Sequence, residues 1–260
     1  MLSYQHAYHA GNLADVHKHA LLCAMLDYLV QKDKPLTYIE THAGRGLYRL
    51  DAEEALKTGE AMGGIVRLGD RFHADHPYPR RLAEVRARYG HTAYPGSPLL
   101  AALTLRDSDT MHLAELHPQE FQHLKQVLAP WGAHVQSVDG LEMALAICPP
   151  TPRRGLLLAD PSYEVKADYE TIPKALSAIN RKWNVGILAL WYPLLAAGPH
   201  LPMLAALSRA FPDALRHEVR FPPVREGHRM VGSGMFIVNA PWGTQDETAR
   251  LSALFDGLEG

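Results

Sequence analysis

A chain of 260 residues, 47% hydrophobic and 21% charged, buries a substantial core, so one large domain, or a domain carrying an insertion, is expected and disorder is excluded. The formal charge of -2 excludes a uniformly basic protein, and any nucleic-acid contact must come from a local patch. Cys23 and Cys148 are the only cysteines; they lie far apart without metal-ligand spacing, which argues against a disulfide framework or a thiolate zinc site.

Met1 to His6 lack the basic and apolar regions of a secretory signal, and no apolar run reaches membrane-spanning length. The expectation is a soluble, cytoplasmic protein without membrane contact. Residues 3–12 are rich in aromatics and histidine without a clear period, and Gly11-Asn12 punctuates them, so residues 1–12 read as an ordered N-terminal arm. From about Leu13 to Val30 apolar residues recur at helical spacing, with His17, Lys18 and His19 in the first half. The pairs His6/His9 and His17/His19 invite a metal hypothesis, but no third ligand stands at suitable spacing, so they read as structural or surface histidines and no metal is expected.

Leu36 to Thr41 is β-branched and aromatic and runs into His42-Ala43-Gly44-Arg45-Gly46, a strand followed by a glycine turn that lets backbone approach a nucleotide-like ligand. The third glycine of the dinucleotide fingerprint is missing, and the next strand-terminal acid, Glu115, comes far too late for a ribose acid of an NAD enzyme. Residues 51–70 and 79–89 have helical composition with an interruption at 75–79, which suggests an inserted helical subdomain at about 48–94. Arg80, Arg81, Arg86 and Arg88, with Arg45 and Arg49, form either a phosphate-facing patch or, more simply, a solvated helix face. Tyr94 to Pro98 reads as a rigid turn, with Ser97 capping the helix that Pro98 begins.

Met111 to Leu116 reads as a second strand ending in Glu115, and a carboxylate there can accept both hydroxyls of a ribose. Ala133 to Val138 reads as a third strand delivering Asp139-Gly140. Leu156 to Ala159, without a charge, reads as a central strand buried on both faces and ending at Asp160-Pro161. A helix at 168–182, a fifth strand at 185–193 and strands near 214–221 and 233–240 follow, with room for an antiparallel edge hairpin. The loop from Phe221 to Arg229 is either a polyanion contact or an ordinary surface loop. The whole predicts a doubly wound α/β sheet. Each strand-terminal acid alone is ordinary cap chemistry, but recurrence at successive strand ends is what one shared ligand crevice requires.

These motifs together resemble the RlmJ family, S-adenosylmethionine-dependent methyltransferases that modify N6 of an adenine in bacterial 23S ribosomal RNA. The likeness spans nearly the whole chain: His9-Ala10-Gly11-Asn12, Lys18-His19, Thr41-His42-Ala43-Gly44, Tyr94-Pro95-Gly96-Ser97-Pro98, Glu115-Leu116-His117-Pro118, Asp139-Gly140, Asp160-Pro161, Leu190-Trp191-Tyr192-Pro193 and Gly232-Ser233-Gly234-Met235. It implies a single, seven-stranded Rossmann-like methyltransferase domain over 1–260 with a helical insertion after the first strand, expected as a monomer. It further implies methyl-donor contacts at His19, His42, Ser97, Glu115, Asp139, Gly140 and Asp160, and a substrate contact at Tyr4.

The family's catalytic tetrapeptide is usually Asp-Pro-Pro-Tyr, and here the third residue is Ser162. By the same resemblance Asp160 and the Pro161 carbonyl accept the two N–H groups of the target amine, while Tyr163 offers a face for the flipped base. Loss of the second proline leaves the Pro161 carbonyl to be aimed by packing or by the Ser162 hydroxyl. A non-catalytic RNA-binding relative, motivated by Ser162, and a nicotinamide oxidoreductase, motivated by Gly44-x-Gly46 and Glu115, are the competing readings.

Overall fold

The structure, a computed structural model, describes residues 4–222 and 230–258. A short 3-10 turn at His6–Tyr8 leads into α1 (Leu13–Val30), which Asn12 caps by accepting the Asp15 N–H. Most of α1 is buried on every side, as befits a helix packed between the sheet and other helices. Then come β1 (Thr37–Glu40), β2 (Leu47–Arg49), α2 (Glu53–Thr58), α3 (Glu60–Gly63), α4 (Ile65–Leu68), α5 (Pro77–Tyr89), β3 (Ala93–Pro95) and α6 (Ser97–Thr104). The second part holds β4 (Thr110–Ala114), α7 (Pro118–Leu128), β5 (His134–Gln136), α8 (Gly140–Ile147), β6 (Gly155–Ala159) and α9 (Asp168–Lys182). It ends with β7 (Ile187–Leu195), α10 (His200–Ala210), β8 (Leu215–Arg220), β9 (Met230–Val238) and α11 (Thr244–Asp256).

Seven strands form one sheet in the order β5-β4-β1-β6-β7-β9-β8. The five from β5 to β7 are parallel, and β9 runs antiparallel to both β7 and β8. The edge hairpin therefore exists, but its second strand lies inside the sheet and its first at the edge. The chain moves from β1 outward through β4 to β5 and then returns to β6 on the other side, so a crevice opens at the carboxyl ends of β1, β4 and β6. Every residue of β1 and β6 is buried, as the uncharged run predicts. One face packs on Leu22, Leu26 and Phe255, the other on Leu176, Ile179 and Trp183.

Several boundaries differ from the sequence reading. Residues 93–95 are no turn: they pair antiparallel with 47–49, Tyr48 opposite Tyr94, in a separate two-stranded ribbon. Pro95 is tolerated there because such a ribbon leaves an unpaired edge. The ribbon brings together the two ends of the helical stretch between β2 and β3. Helix α5 starts at Pro77, in the middle of the supposed interruption, because His76 caps it by accepting the Tyr78 N–H and proline suits the first turn. Gly96, not Ser97, is the residue before α6, and the Ser97 hydroxyl is used elsewhere. In the suggested polyanion loop, Arg225, His228 and Arg229 lie outside the described residues.

Candidate active site

A cavity of about 430 Å³ opens at the crevice, large enough for a nucleoside-sized ligand. All ten residues singled out from the sequence line it, brought together from seven separate stretches of chain.

The turn after β1 supplies His42 and Gly44. Thr41 Oγ1 lies 2.7 Å from His42 Nδ1, and burial pushes the His42 imidazole below its ordinary value. Gly44 has φ of 63°, and a Cβ there would meet the Tyr48 hydroxyl at 2.6 Å, so this position needs glycine. Its N–H donates to Glu115 Oε2 at 2.7 Å, while the His117 N–H donates to Glu115 Oε1 at 2.7 Å. Glu115 is thus fixed by backbone from both sides of the crevice, and burial raises its carboxyl. Asp139 caps α8 with one oxygen, accepting from the Leu141 and Glu142 N–H groups, and no bond occupies Oδ2 among the described residues. Gly140 has a packing reason as well: a Cβ would meet the Thr41 carbonyl oxygen at 1.8 Å, so α8 approaches the β1 turn only without a side chain.

Ser97 faces the cavity from the start of α6, and its hydroxyl donates to Glu40 Oε1 at 2.5 Å. Glu40, wholly buried at the end of β1, also accepts from the Tyr38 hydroxyl at 2.8 Å. Burial pushes its carboxyl up to about 8, against the two hydrogen bonds that favour the anion. His19 is buried with Nδ1 2.9 Å from the Tyr94 hydroxyl. Burial takes its imidazole down to about 3.

Asp160 stands at the end of β6, and Lys18 Nζ donates to its Oδ2 at 2.5 Å. The same ammonium lies 3.1 Å from Asp15 Oδ1. Burial alone would lower the Lys18 ammonium; Asp160 and Asp15 outweigh it and hold it raised. Burial likewise opposes the Asp15 anion, but His6, Lys18 and His19 keep its carboxyl well below the usual range. Asp15 Oδ2 accepts from the Gly11 N–H and lies 2.9 Å from His6 Nε2, and His6 Nδ1 lies 2.8 Å from the Tyr4 hydroxyl. Tyr4 stacks on His9 with rings 5.7 Å apart, and its N–H donates to Glu164 Oε2 at 3.1 Å. Tyr4 is therefore tied into the wall that carries Asp160.

Two expectations about the corner change. Tyr163 takes φ of 55°, is only 8% exposed, stacks one face on Tyr169 at 4.7 Å and donates its hydroxyl to the Trp191 carbonyl at 2.9 Å. At most one face remains for a base, because the other lies in the core between strand and helix. Among the described residues the Ser162 hydroxyl makes no hydrogen bond to the Pro161 carbonyl, and its contact is a long 3.5 Å approach from the Glu164 N–H. Pro161 is buried, so packing sets its direction.

Lys18, Asp15, Trp191 and Glu40 belong to the site and were not singled out. The signal for the first two is a charged pair three residues apart in the first half of a largely apolar helix. For Glu40 it is an acid closing an uncharged strand. Of the six arginines suggested as a patch, Arg45 pairs with Glu120, Arg49 with Asp51, Arg80 with Asp27 and Arg81 with Glu84, while Arg88 lies over the Trp131 ring. The four paired histidines have side-chain partners in Asp15, Glu60, Ser233 and Tyr94. No cluster of three or more metal-binding side chains forms among the described residues.

Numbered within the large sheet alone, the strand order is 3-2-1-4-5-7-6 with strand seven antiparallel; with acids closing adjacent strands around one cavity, this is a Rossmann-like methyltransferase fold. A family model described as "Ribosomal RNA large subunit methyltransferase D, RlmJ" matches residues 33–256. The chain is 38% identical over 247 residues to ribosomal RNA large subunit methyltransferase J of Escherichia coli and 37% identical over 248 residues to that of Haemophilus influenzae; each match covers 93% of this chain and 88% of the relative. A crystal structure from Legionella pneumophila is similar at a TM-score of 0.85 and 33% identity, covering 95% of this chain and 94% of that one. The chain belongs to the RlmJ family, which sets aside the oxidoreductase reading of Gly44-x-Gly46.

Proposed function

We propose that this chain transfers a methyl group from S-adenosylmethionine to the exocyclic N6 amine of an adenine in 23S ribosomal RNA. The observation that carries the reading is the corner at Asp160: one carboxylate oxygen is fixed by a buried ammonium, and the other remains to accept a substrate N–H.

The donor set fits S-adenosylmethionine. Glu115, held by two backbone N–H groups, keeps lone pairs for a vicinal diol. Glu115, Asp139 and Asp160 give a cationic ligand an acidic wall, and the small Gly44 turn admits close approach. His42 and Ser97 would complete its contacts, with the buried His19 in the wall. When bound, the donor supplies an electrophilic methyl group on a sulfonium.

The adenine amine is a poor nucleophile because its lone pair is delocalised into the ring. Asp160 Oδ1 and the Pro161 carbonyl accept its two N–H groups and favour the geometry that frees the lone pair. Positioning and a preorganised negative field then lower the barrier. Asp160 takes up the proton that the nitrogen loses once the new C–N bond is forming. Tyr4 and the open face of Tyr163 bracket the base, which must leave its stack to enter. The stretch of about 48–94 acts as a helical insertion within one domain over 1–260. A ribosomal RNA substrate supports a cytoplasmic enzyme.

The test is incubation with labelled S-adenosylmethionine and unmodified 23S ribosomal RNA, followed by nucleoside analysis. Label in N6-methyladenosine at one position is expected; no transfer, or label in another nucleoside, overturns the reading.

A further inference from the structure

Behind the cavity wall runs a line of polar groups that the chemistry above does not use. Trp191 Nε1 lies 2.9 Å from Ser233 Oγ, and Ser233 Oγ lies 2.9 Å from His17 Nδ1. His17 Nε2 lies 2.9 Å from His217 Nδ1, and His217 Nε2 lies 3.0 Å from Ser252 Oγ. Five elements, β7, β9, α1, β8 and α11, meet in this line. Ser233 and His17 are completely buried and His217 nearly so, so their hydrogens must find partners inside the protein.

The donor inventory fixes the direction of the line. An indole only donates, so Ser233 accepts from Trp191. The Ser233 hydroxyl then needs an acceptor, and its other side-chain partner among the described residues is His17 Nδ1. His17 therefore carries its hydrogen on Nε2 and donates to His217 Nδ1, and His217 donates from Nε2 to Ser252. Every donor meets an acceptor when both imidazoles are neutral. Burial holds both below their ordinary value, in keeping with that state. Running the line the other way leaves the Ser233 hydrogen without a place.

The Gly232-Ser233-Gly234 triplet explains how the serine is seated. A Cβ at Gly234 would meet the Tyr192 ring at 2.2 Å, and one at Gly232 would meet the Val219 carbonyl oxygen at 2.4 Å. Strand β9 is thus pressed between its neighbours, and Ser233, opposite Pro193 in register, sits diagonal to Trp191 on the same sheet face.

What Trp191 touches gives the line a purpose. Lys18 Nζ lies 5.6 Å from the centre of its ring, and its carbonyl accepts from the Tyr163 hydroxyl. We infer that Ser233, oriented by His17 and His217, is a positioning residue for methyl transfer: it fixes the Trp191 indole and, through it, Lys18 and the Asp160 corner. This rests on the function proposed above and extends it to residues remote from the cavity.

The test labels all four tryptophans with nitrogen-15 and reads their indole N–H resonances without RNA or methyl donor, Trp191 being assigned by Trp191→Phe. Ser233→Ala is expected to move the Trp191 resonance upfield and leave the other three in place. It is also expected to lower kcat about ten- to a hundred-fold with KM for S-adenosylmethionine unchanged. His217→Gln, on the far side of His17, carries the same test if Ser233→Ala does not fold, and is expected to shift the same resonance. An unmoved Trp191 resonance, or a moved one with wild-type kcat, overturns the inference. If the wild type methylates no RNA at all, the functional reading fails, while the resonance still decides the hydrogen-bonded line.

Discussion

One buried ammonium joins a buried acid to a partly exposed one: Lys18 Nζ lies 3.1 Å from Asp15 Oδ1 and 2.5 Å from Asp160 Oδ2, tying the first helix to the end of the central strand. Lys18 is 5% exposed and Asp15 1%, so neither charge has water to fall back on. Lys18→Met is expected to destabilise the fold by about 3–5 kcal/mol, the cost of removing one partner from a buried ion pair. Urea unfolding measures it. The double variant with Asp160→Asn should lose less than the two single losses added together, because the second change removes one stranded charge.

Glu40 gives a prediction with a sign that can be checked. Its folded-state carboxyl sits at about 8, against roughly 4.3 for an unperturbed glutamate. The folded state therefore binds the proton more tightly than the unfolded state between these values. Stability associated with Glu40 is full below the lower value and is lost as pH rises through the upper one. Glu40→Gln should accordingly be more stable relative to wild type at pH 8.5 than at pH 5. Paired thermal melts at the two pH values check this, and a difference that does not change with pH contradicts it.

Histidines produce the opposite slope. His17, His19, His42, His112, His200 and His217 are all held below the ordinary value, in each case by burial first. The unfolded chain takes up these protons near its own value of about 6.5 and the folded chain does not, so stability falls as pH drops below that point. Because Glu40 works against this trend, Glu40→Gln should show a steeper loss of melting temperature between pH 7 and pH 5 than the wild type. Equal or shallower loss in the variant contradicts the assignment.

Ser162→Pro should be tolerated with turnover within a few-fold of wild type. The Ser162 side chain makes only the long contact with the Glu164 N–H, and its own N–H has no hydrogen-bond partner among the described residues. A proline there would also restrict Pro161 in the extended region it needs. Steady-state kinetics with an intact melting profile decide it, and a collapse in kcat would show that the serine hydroxyl takes part in catalysis.

The middle of the sheet was legible because its strands are nearly uncharged, those of β4 and β6 being followed directly by acids: Leu156 to Ala159 and the fifth strand at Trp191 declare their burial in composition alone. Helices α1 and α9 were legible to the residue; in α1 the Asn12 cap and the apolar periodicity agree. The ribbon at 47–49 and 93–95 was not, because three-residue strands carry too little pattern and Pro95 argues locally for a turn. In the site, acids at strand ends were visible as residue types at expected positions. Lys18 and Trp191 were hidden because their roles depend on which elements pack together: α1 reaches Asp160 across 142 residues of sequence, and nothing local encodes that. Ser97 was visible but misread, since a serine before Pro98 looks like a cap until the buried Glu40 is found beneath it.

The most direct test of the Asp160 corner is single-turnover methyl transfer to 23S ribosomal RNA, wild type against Asp160→Asn, at saturating S-adenosylmethionine with melting curves of both. A carboxamide keeps the size of the side chain and removes the charge and the proton acceptor. The rate should fall at least about a hundredfold while the variant remains folded; a folded Asp160→Asn enzyme that transfers methyl groups at the wild-type rate would contradict the role assigned to this residue.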